Sequence, residues 1–299
     1  MKYWDRALTL VEGCTPCSPG CDNCWEAAIS HRFDRSGFFT DCRGKYIGTI
    51  RIRPDRLELP RKRQKPTVYQ IWNDLFHEEV PDEFIRAAFM MMTHRDTQHH
   101  TFLLLTKRPE RMSSTVNGLW GDTENKICFH MPRTWFGLTV CNQEEADAKI
   151  PVFLQVPGRL FLSIEPMLGP VDLDETCGPS WCWREAIQGV ILGGETGPRA
   201  RPMHPDWVRK VRDDCATAGV PFLFKQWGEW YPDSDLGQIK DTKRPGQCRK
   251  GQPSCYAHLL GEAGSSDRET DILMRRVGSK SAGRLLDGRE HNDMPWRAS

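Results

Sequence analysis

The chain has 299 residues, of which 38% are hydrophobic and 27% charged, with a net charge of +1. That size supports a large core in one big domain or two ordinary ones, and the near-neutral balance excludes a general polycation. No apolar run is long enough to span a membrane, and the start "MKYWDRALTL" lacks the apolar core and cleavage site of a signal peptide. Twelve cysteines without a secretion signal point to a reducing, cytoplasmic setting, where clustered thiols serve as metal ligands or redox groups more often than as disulfides.

A first strand is expected at "ALTLVEG", followed at once by "VEGCTPCSPGCDNCWE", residues 11–26. This loop holds Cys14, Cys17, Cys21 and Cys24 within eleven positions. Pro16, Ser18, Pro19 and Gly20 prevent regular structure between them, so the backbone curls and thiolates can converge. A disulfide, a four-thiolate zinc site and an iron–sulfur cluster compete. Zinc sites of that kind usually take two pairs from separated knuckles, and no Cys-x-x-Cys pair occurs outside this loop. A four-iron cluster held by three thiolates keeps one iron open for a cofactor. Two triplets fit that use: Cys17, Cys21 and Cys24, with the spacing associated with radical S-adenosylmethionine (SAM) enzymes, or Cys14, Cys21 and Cys24 in a wider loop.

A helix is expected over "CWEAAISHRFD", then a basic stretch at 43–65 with nine basic and two acidic side chains, suited to phosphates or simply to solvent. From there short apolar runs alternate with helical spacers. The predicted strands are "TVYQIWN", "TFLLLTK", "TWFGLTV", "RLFLSIE", "GVILGGE" and "PFLFKQW"; the clearest helices are "PDEFIRAAFMMMTHR" and "HPDWVRKVRDDCATAG", the latter ending on a C-cap glycine. Strand–helix repetition means a parallel α/β fold, a partial β/α barrel or open sheet of about seven strands. Chemistry in such folds sits beyond the C-terminal strand ends. Those ends are polar in series: Asn73-Asp74, Thr106-Lys107-Arg108, Thr139 and Asn142, Ser163 and Glu165, Gly193-Gly194-Glu195, and Lys225-Gln226-Trp227. Gly189, Ile191 and Gly193 could let a flat base lie against the backbone, or could mark a tight turn. Cys42, Cys128, Cys141 and Cys215 are scattered and read as small buried residues, while Cys248 and Cys255 could bind a second metal.

The segments "GCTPCSPGCDNCW", "DLFHEEVP", "LLLTKRPERM", "WFGLTVCNQEEADAKIPVFLQVPGRLFLSIEPMLGPVDL", "GGETGPRARPMHPDWVRKVRDDCATAGVPFLFKQWGEW" and "GRLLDGREHNDMP" fall in order from residue 13 to 295. Together they resemble the phage Gp37/Gp68 family (DUF5131), itself similar to radical-SAM enzymes. The resemblance implies a partial β/α barrel of radical-SAM type over 1–231, with a C-terminal extension over 232–299. It implies a [4Fe-4S] cluster on Cys14, Cys21 and Cys24. The family loop reads like "GCTKVSPGCKNCY", so Cys17 departs from it and stands as the alternative ligand. SAM would bind the open iron, with Asn73, Asp74, Asn142, Glu165, Gly193 and Glu195 as candidate contacts, and an external electron donor would reduce the cluster. The expected activity is a radical reaction, such as isomerisation, on a nucleobase substituent in phage DNA, with a nucleic acid or nucleotide as partner, no membrane, and a location in the host cytoplasm. Two rival expectations are a zinc-stabilised nucleic-acid-binding protein without catalysis, and a nuclease or repair factor on a similar fold.

Overall fold

The computed structural model describes residues 2–34, 36–121, 131–177, 183–233, 254–257 and 272–297. The strands are β1 (Arg6–Leu8), β2 (Val11–Glu12), β3 (Arg51–Ile52), β4 (Val68–Ile71), β5 (Thr101–Thr106), β6 (Thr134–Thr139), β7 (Arg159–Ile164), β8 (Ile187–Gly193), β9 (Phe222–Gln226), β10 (Trp230–Pro232), β11 (Ser254–Ala257) and β12 (Ile272–Arg276). The α-helices are α1 (Trp25–Phe33), α2 (Asp82–Thr93), α3 (Pro109–Gly121), α4 (Gln143–Phe153), α5 (Leu173–Cys177), α6 (Trp183–Ala186), α7 (Pro205–Ala218) and α8 (Ser279–Ala282).

Seven strands form one parallel sheet in the order β1-β4-β5-β6-β7-β8-β9. Strand order follows chain order, so each crossover packs on the same face and the sheet curls into a half-barrel. The expected strands are present, and the apolar runs are buried on both faces, as a parallel sheet covered by helices requires. Outward-facing Ile71, Leu104, Phe136, Leu162, Leu192 and Phe224 pack under the helices in one large core. The Phe/Ile/Met stripe of α2 is part of that core, with Ile85, Ala88, Phe89 and Met92 buried. Helix α7 opens on His204, whose side chain accepts from the Asp206 N–H at 3.1 Å, and closes on Gly219 at φ +67°, a left-handed cap open to glycine at little cost.

The inward-facing residues alternate with these. Val68, Leu103, Trp135, Phe161, Ile191 and Leu223 give one residue from each of β4 to β9 and form a second, smaller core. Both chain ends close it. Trp296 packs against Trp135 and Phe161 at centroid distances of 5.4 and 5.2 Å, and its indole N–H donates to the Tyr3 carbonyl at 3.0 Å.

The extension is attached to the barrel through the edge strand. Strands β10, β12 and β11 form a small antiparallel sheet. The chain then runs back along β9, where Trp227 N–H donates to Gly283 O at 3.1 Å, Phe224 N–H to His291 O at 3.2 Å and Asp293 N–H to Phe222 O at 3.3 Å. That pairing covers an edge that would otherwise expose unpaired backbone groups. Cys128 and Cys248 lie outside the described residues, as does the Cys255 side chain, and with them the second metal site expected there.

Candidate active site

The curl leaves a cavity of about 450 Å³ at the C-terminal edge of the sheet, within the usual size range of ligand sites. Cys14, Cys17, Cys21 and Cys24 all line it. The described cysteines are free thiols. The loop is built to hold its shape. Ser18 accepts from the Gly20 N–H at 3.1 Å and caps the 3-10 turn Pro19–Cys21, and Cys24 occupies the N-cap position of α1 without a side-chain capping bond. Gly20 is tightly placed: a Cβ there would lie 2.5 Å from Cys141 Sγ.

Clamps reach the loop from two sides of the sheet. From β5, Arg108 Nη2 donates to Thr15 O at 2.9 Å, Nη1 to Cys14 Sγ at 4.0 Å, and Thr15 Oγ1 bonds His77 Nε2 at 2.7 Å. From β8, Glu195 accepts from Asn23 Nδ2 at 3.0 Å and from Arg201 at 2.6 and 3.0 Å, while Arg201 Nη2 also donates to Pro19 O at 2.9 Å.

Electrostatics at the loop are asymmetric. Cys21 is pulled down to about 5, first by its hydrogen bond from Cys17 and then, against burial, by the Lys107 charge. The same bond, with burial, raises Cys17. Burial raises Cys24, and pushes Cys14 up to about 12 with Asp74 adding to it. Lys107 forms no ion pair with a carboxylate among the described residues. Burial pulls its pKa down, yet Cys21, Cys141, Cys24 and Cys17 outweigh that and leave it raised. The loop thus sets an acidified thiol near a half-buried lysine, an arrangement that favours the thiolate.

The six candidate cofactor contacts divide by location. Asn73, Asp74 and Glu165 line the cavity; Asn142, Gly193 and Glu195 do not. Asn73, at φ +59°, donates to Val11 O at 2.7 Å and accepts from Tyr46 at 3.0 Å, so its side chain is engaged in the wall. Asp74 is saturated by Thr106 Oγ1 at 2.8 Å, the Phe76 N–H at 3.0 Å and Arg108 at 2.7 Å. Glu165 pairs with Lys225 at 2.7 Å and accepts from Ser163 at 3.3 Å. Asn142 caps α4, accepting from the Glu145 N–H at 3.0 Å. Gly193 sits under Glu165, where a Cβ would come within 3.0 Å of Oε1, and Gly189 lies against Pro295 at the closed end, so these glycines serve packing.

Several wall residues have no counterpart among the sequence-based candidates. Glu26 lies behind Cys24, and burial raises it to about 7. Trp4, Trp25 and Trp72 form an aromatic side, with Trp72 edge-on to Trp4 at 5.7 Å and to Trp25 at 5.2 Å. Gln70 and Trp72 were legible as inward positions by strand alternation with Val68. The basic stretch is largely paired: Arg51, Arg53 and Arg56 share Glu12, Arg61 pairs with Glu58, and Lys45 with Asp22. Of its charges, Arg43, Lys62, Arg63 and Lys65 form no ion pair among the described residues. No helix among the described residues is long and apolar enough to cross a membrane.

A parallel half-barrel with a thiol-lined cavity at its C-terminal edge is the class of protein that fold and site define. The family model described as "Protein of unknown function (DUF5131)" matches residues 1–295, and the chain belongs to that family. Neither the curated proteins nor the solved structures yield a match.

Proposed function

We propose that the protein is a radical-SAM enzyme that modifies a nucleobase substituent, an isomerisation being the simplest outcome. The observation that supports this most is the placement of all four thiols of one loop on the cavity wall, which Lys107 and Arg108 also line. The donor set fits an iron–sulfur cluster, which is held by thiolates. Among the described residues no three His, Cys, Asp or Glu side chains are grouped to hold a metal ion. A four-iron cluster presents its thiolates to separate irons, so it does not call for convergence on one point. Cys14, Cys21 and Cys24 are the ligands we assign, with Cys17 as the alternative. When bound, the cluster and SAM supply an electron and a 5′-deoxyadenosyl radical.

The chain's own residues do the rest. Lys107 and Arg108 offset the negative charge of the assembled thiolates. Glu195 and Arg201 fix the loop from β8, so that ligand geometry does not depend on the cofactor alone. Glu165 and Lys225 remain on the cavity wall as a polar pair within reach of a ligand.

Anaerobic reconstitution tests the reading. About four irons per chain are expected, with a thiolate-to-iron absorption band, and SAM should be cleaved to 5′-deoxyadenosine. Cys21→Ala and Cys24→Ala should abolish the band. Cys14→Ala should abolish it too, and Cys17→Ala should keep it; the reverse pair of results would reassign the third ligand. Stoichiometric zinc without iron would leave the zinc-stabilised binding protein as the reading.

A further inference from the structure

The β4 wall of the cavity contains two polar atoms without partners. Gln70 is 7% exposed, and its Oε1 is buried with nothing to accept from. Two residues on, the Trp72 Nε1–H is buried and has no acceptor. Residues two apart on a strand share a face, and both side chains line the cavity. A buried polar group left unpaired calls for an explanation, and a ligand in the adjoining cavity supplies one. Here one acceptor and one donor stand on the same wall of a cavity large enough for a ligand.

The surroundings narrow the ligand. Trp4 and Trp25 meet Trp72 edge-on at 89° and 79°, and Leu105 on the neighbouring strand adds apolar surface. Lys2 lies 4.6 Å over the Trp4 ring. A purely apolar guest would leave the two buried atoms unpaired. A charged guest would find no counter-charge on Gln70 or Trp72. What matches is a flat ring that carries an N–H beside a lone pair.

We infer that Gln70 and Trp72 form a binding site for a purine or pyrimidine ring, in which Gln70 Oε1 accepts from a ring or exocyclic N–H and Trp72 Nε1 donates to a neighbouring ring nitrogen or carbonyl. This inference rests on the proposed reading of the cavity and gives it a substrate class. The ring has two sources, the base of a substrate nucleotide or the adenine of SAM, and they share this chemistry.

The test uses the full chain, purified anaerobically, with iron content measured on each sample. Tryptophan fluorescence is titrated with thymidine 5′-monophosphate, a short single-stranded deoxyoligonucleotide, S-adenosylhomocysteine, and ribose 5-phosphate as a probe with no ring. At least one ring-bearing probe should bind more tightly than ribose 5-phosphate. Gln70→Leu and Trp72→Phe should each weaken that probe about tenfold, the latter keeping the aromatic surface while deleting the N–H. Weakening of S-adenosylhomocysteine alone assigns the site to adenine; weakening of the nucleotide or oligonucleotide assigns it to the substrate. The inference fails if no ring-bearing probe outbinds ribose 5-phosphate, or if both variants fold with unchanged melting temperature and bind like wild type. If no iron binds but both variants still weaken a ring-bearing probe, the cluster reading falls and this site stands. If iron binds and SAM is cleaved but no probe depends on Gln70 or Trp72, this site falls alone.

Discussion

At the closed end of the half-barrel the inward column is Val68, Leu103, Trp135, Phe161, Ile191 and Leu223, covered by Tyr3 and Trp296. Further along the same strands the inward positions become Gln70 and Trp72, Lys107, Thr139, Ser163 and Glu165, and Lys225, and the cysteine loop lies across them. One strand therefore carries packing at its start and a polar cavity wall at its end. At the closed end the fit is full and apolar. At the open end polar atoms are left over, and the ion pair of Glu165 and Lys225 faces a cavity. A sheet can tolerate that open end because the closed end and the outer helical core supply the burial that holds the strands in register.

The largest effect expected from breaking this division is at the closed end. Trp296→Ala removes a ring packed on Trp135 and Phe161, and should cost about 3–5 kcal/mol in a denaturant titration. Iron bound per folded chain should not change. Loss of iron in the folded fraction would mean that the two ends are not separable.

A smaller effect separates the two acidic groups of the open end. Asp74 and Arg108 are buried, with side chains 8% and 7% exposed, and every Asp74 contact is internal. Asp74→Asn leaves Arg108 short of its buried counter-charge and should cost about 3 kcal/mol, with or without SAM. The Glu165–Lys225 pair is more open, so Glu165→Gln should cost roughly 1 kcal/mol or less. It should instead weaken SAM or substrate binding. Equal stability losses for Glu165→Gln with and without ligand would make Glu165 a structural residue like Asp74.

The sequence makes the strands legible, because each is a short apolar run between turns, and it makes the open edge legible, because polar residues end the strands in series. It does not show which polar residues are already engaged. Asp74 and Glu165 look alike as strand-end carboxylates. Their difference lies in partners distant in sequence, Arg108 for one and Lys225 for the other. Asn142 and Glu195 read as site residues by position, and the fold directs them to a helix cap and a loop clamp. The basic stretch looks like a phosphate track because Glu12, which takes three of its arginines, lies outside it in the chain. Glu26 on α1, Tyr46 in the loop after it and Trp4 ahead of β1 escape notice because they line the cavity without ending any strand.

The smallest expected effect concerns pH and the closed end. His100 is fully buried, its ring 5.1 Å from Tyr69 and 6.2 Å from Phe102. Its Nε2 bonds the Pro60 carbonyl at 3.0 Å, and its Nδ1 has no partner. Burial lowers its pKa below the ordinary 6.5, and His99 and Arg63 lower it further, while the Pro60 and Arg63 carbonyls act the other way. On acidification the unfolded chain takes up this proton before the folded chain does. His100 therefore contributes stability that is fully present above pH 6.5 and is lost as pH falls from there through its lowered folded value. One such group changes stability by at most about 1.4 kcal/mol per pH unit. His100→Phe should flatten the acid limb of a stability profile taken by urea unfolding between about pH 5 and 8. Near pH 8 it should cost only about 1 kcal/mol, for the bond to Pro60. Thermal stability at the open end, followed through cavity ligands, should keep its own pH dependence. If the acid limb keeps its full slope in His100→Phe, the closed end does not titrate through this ring.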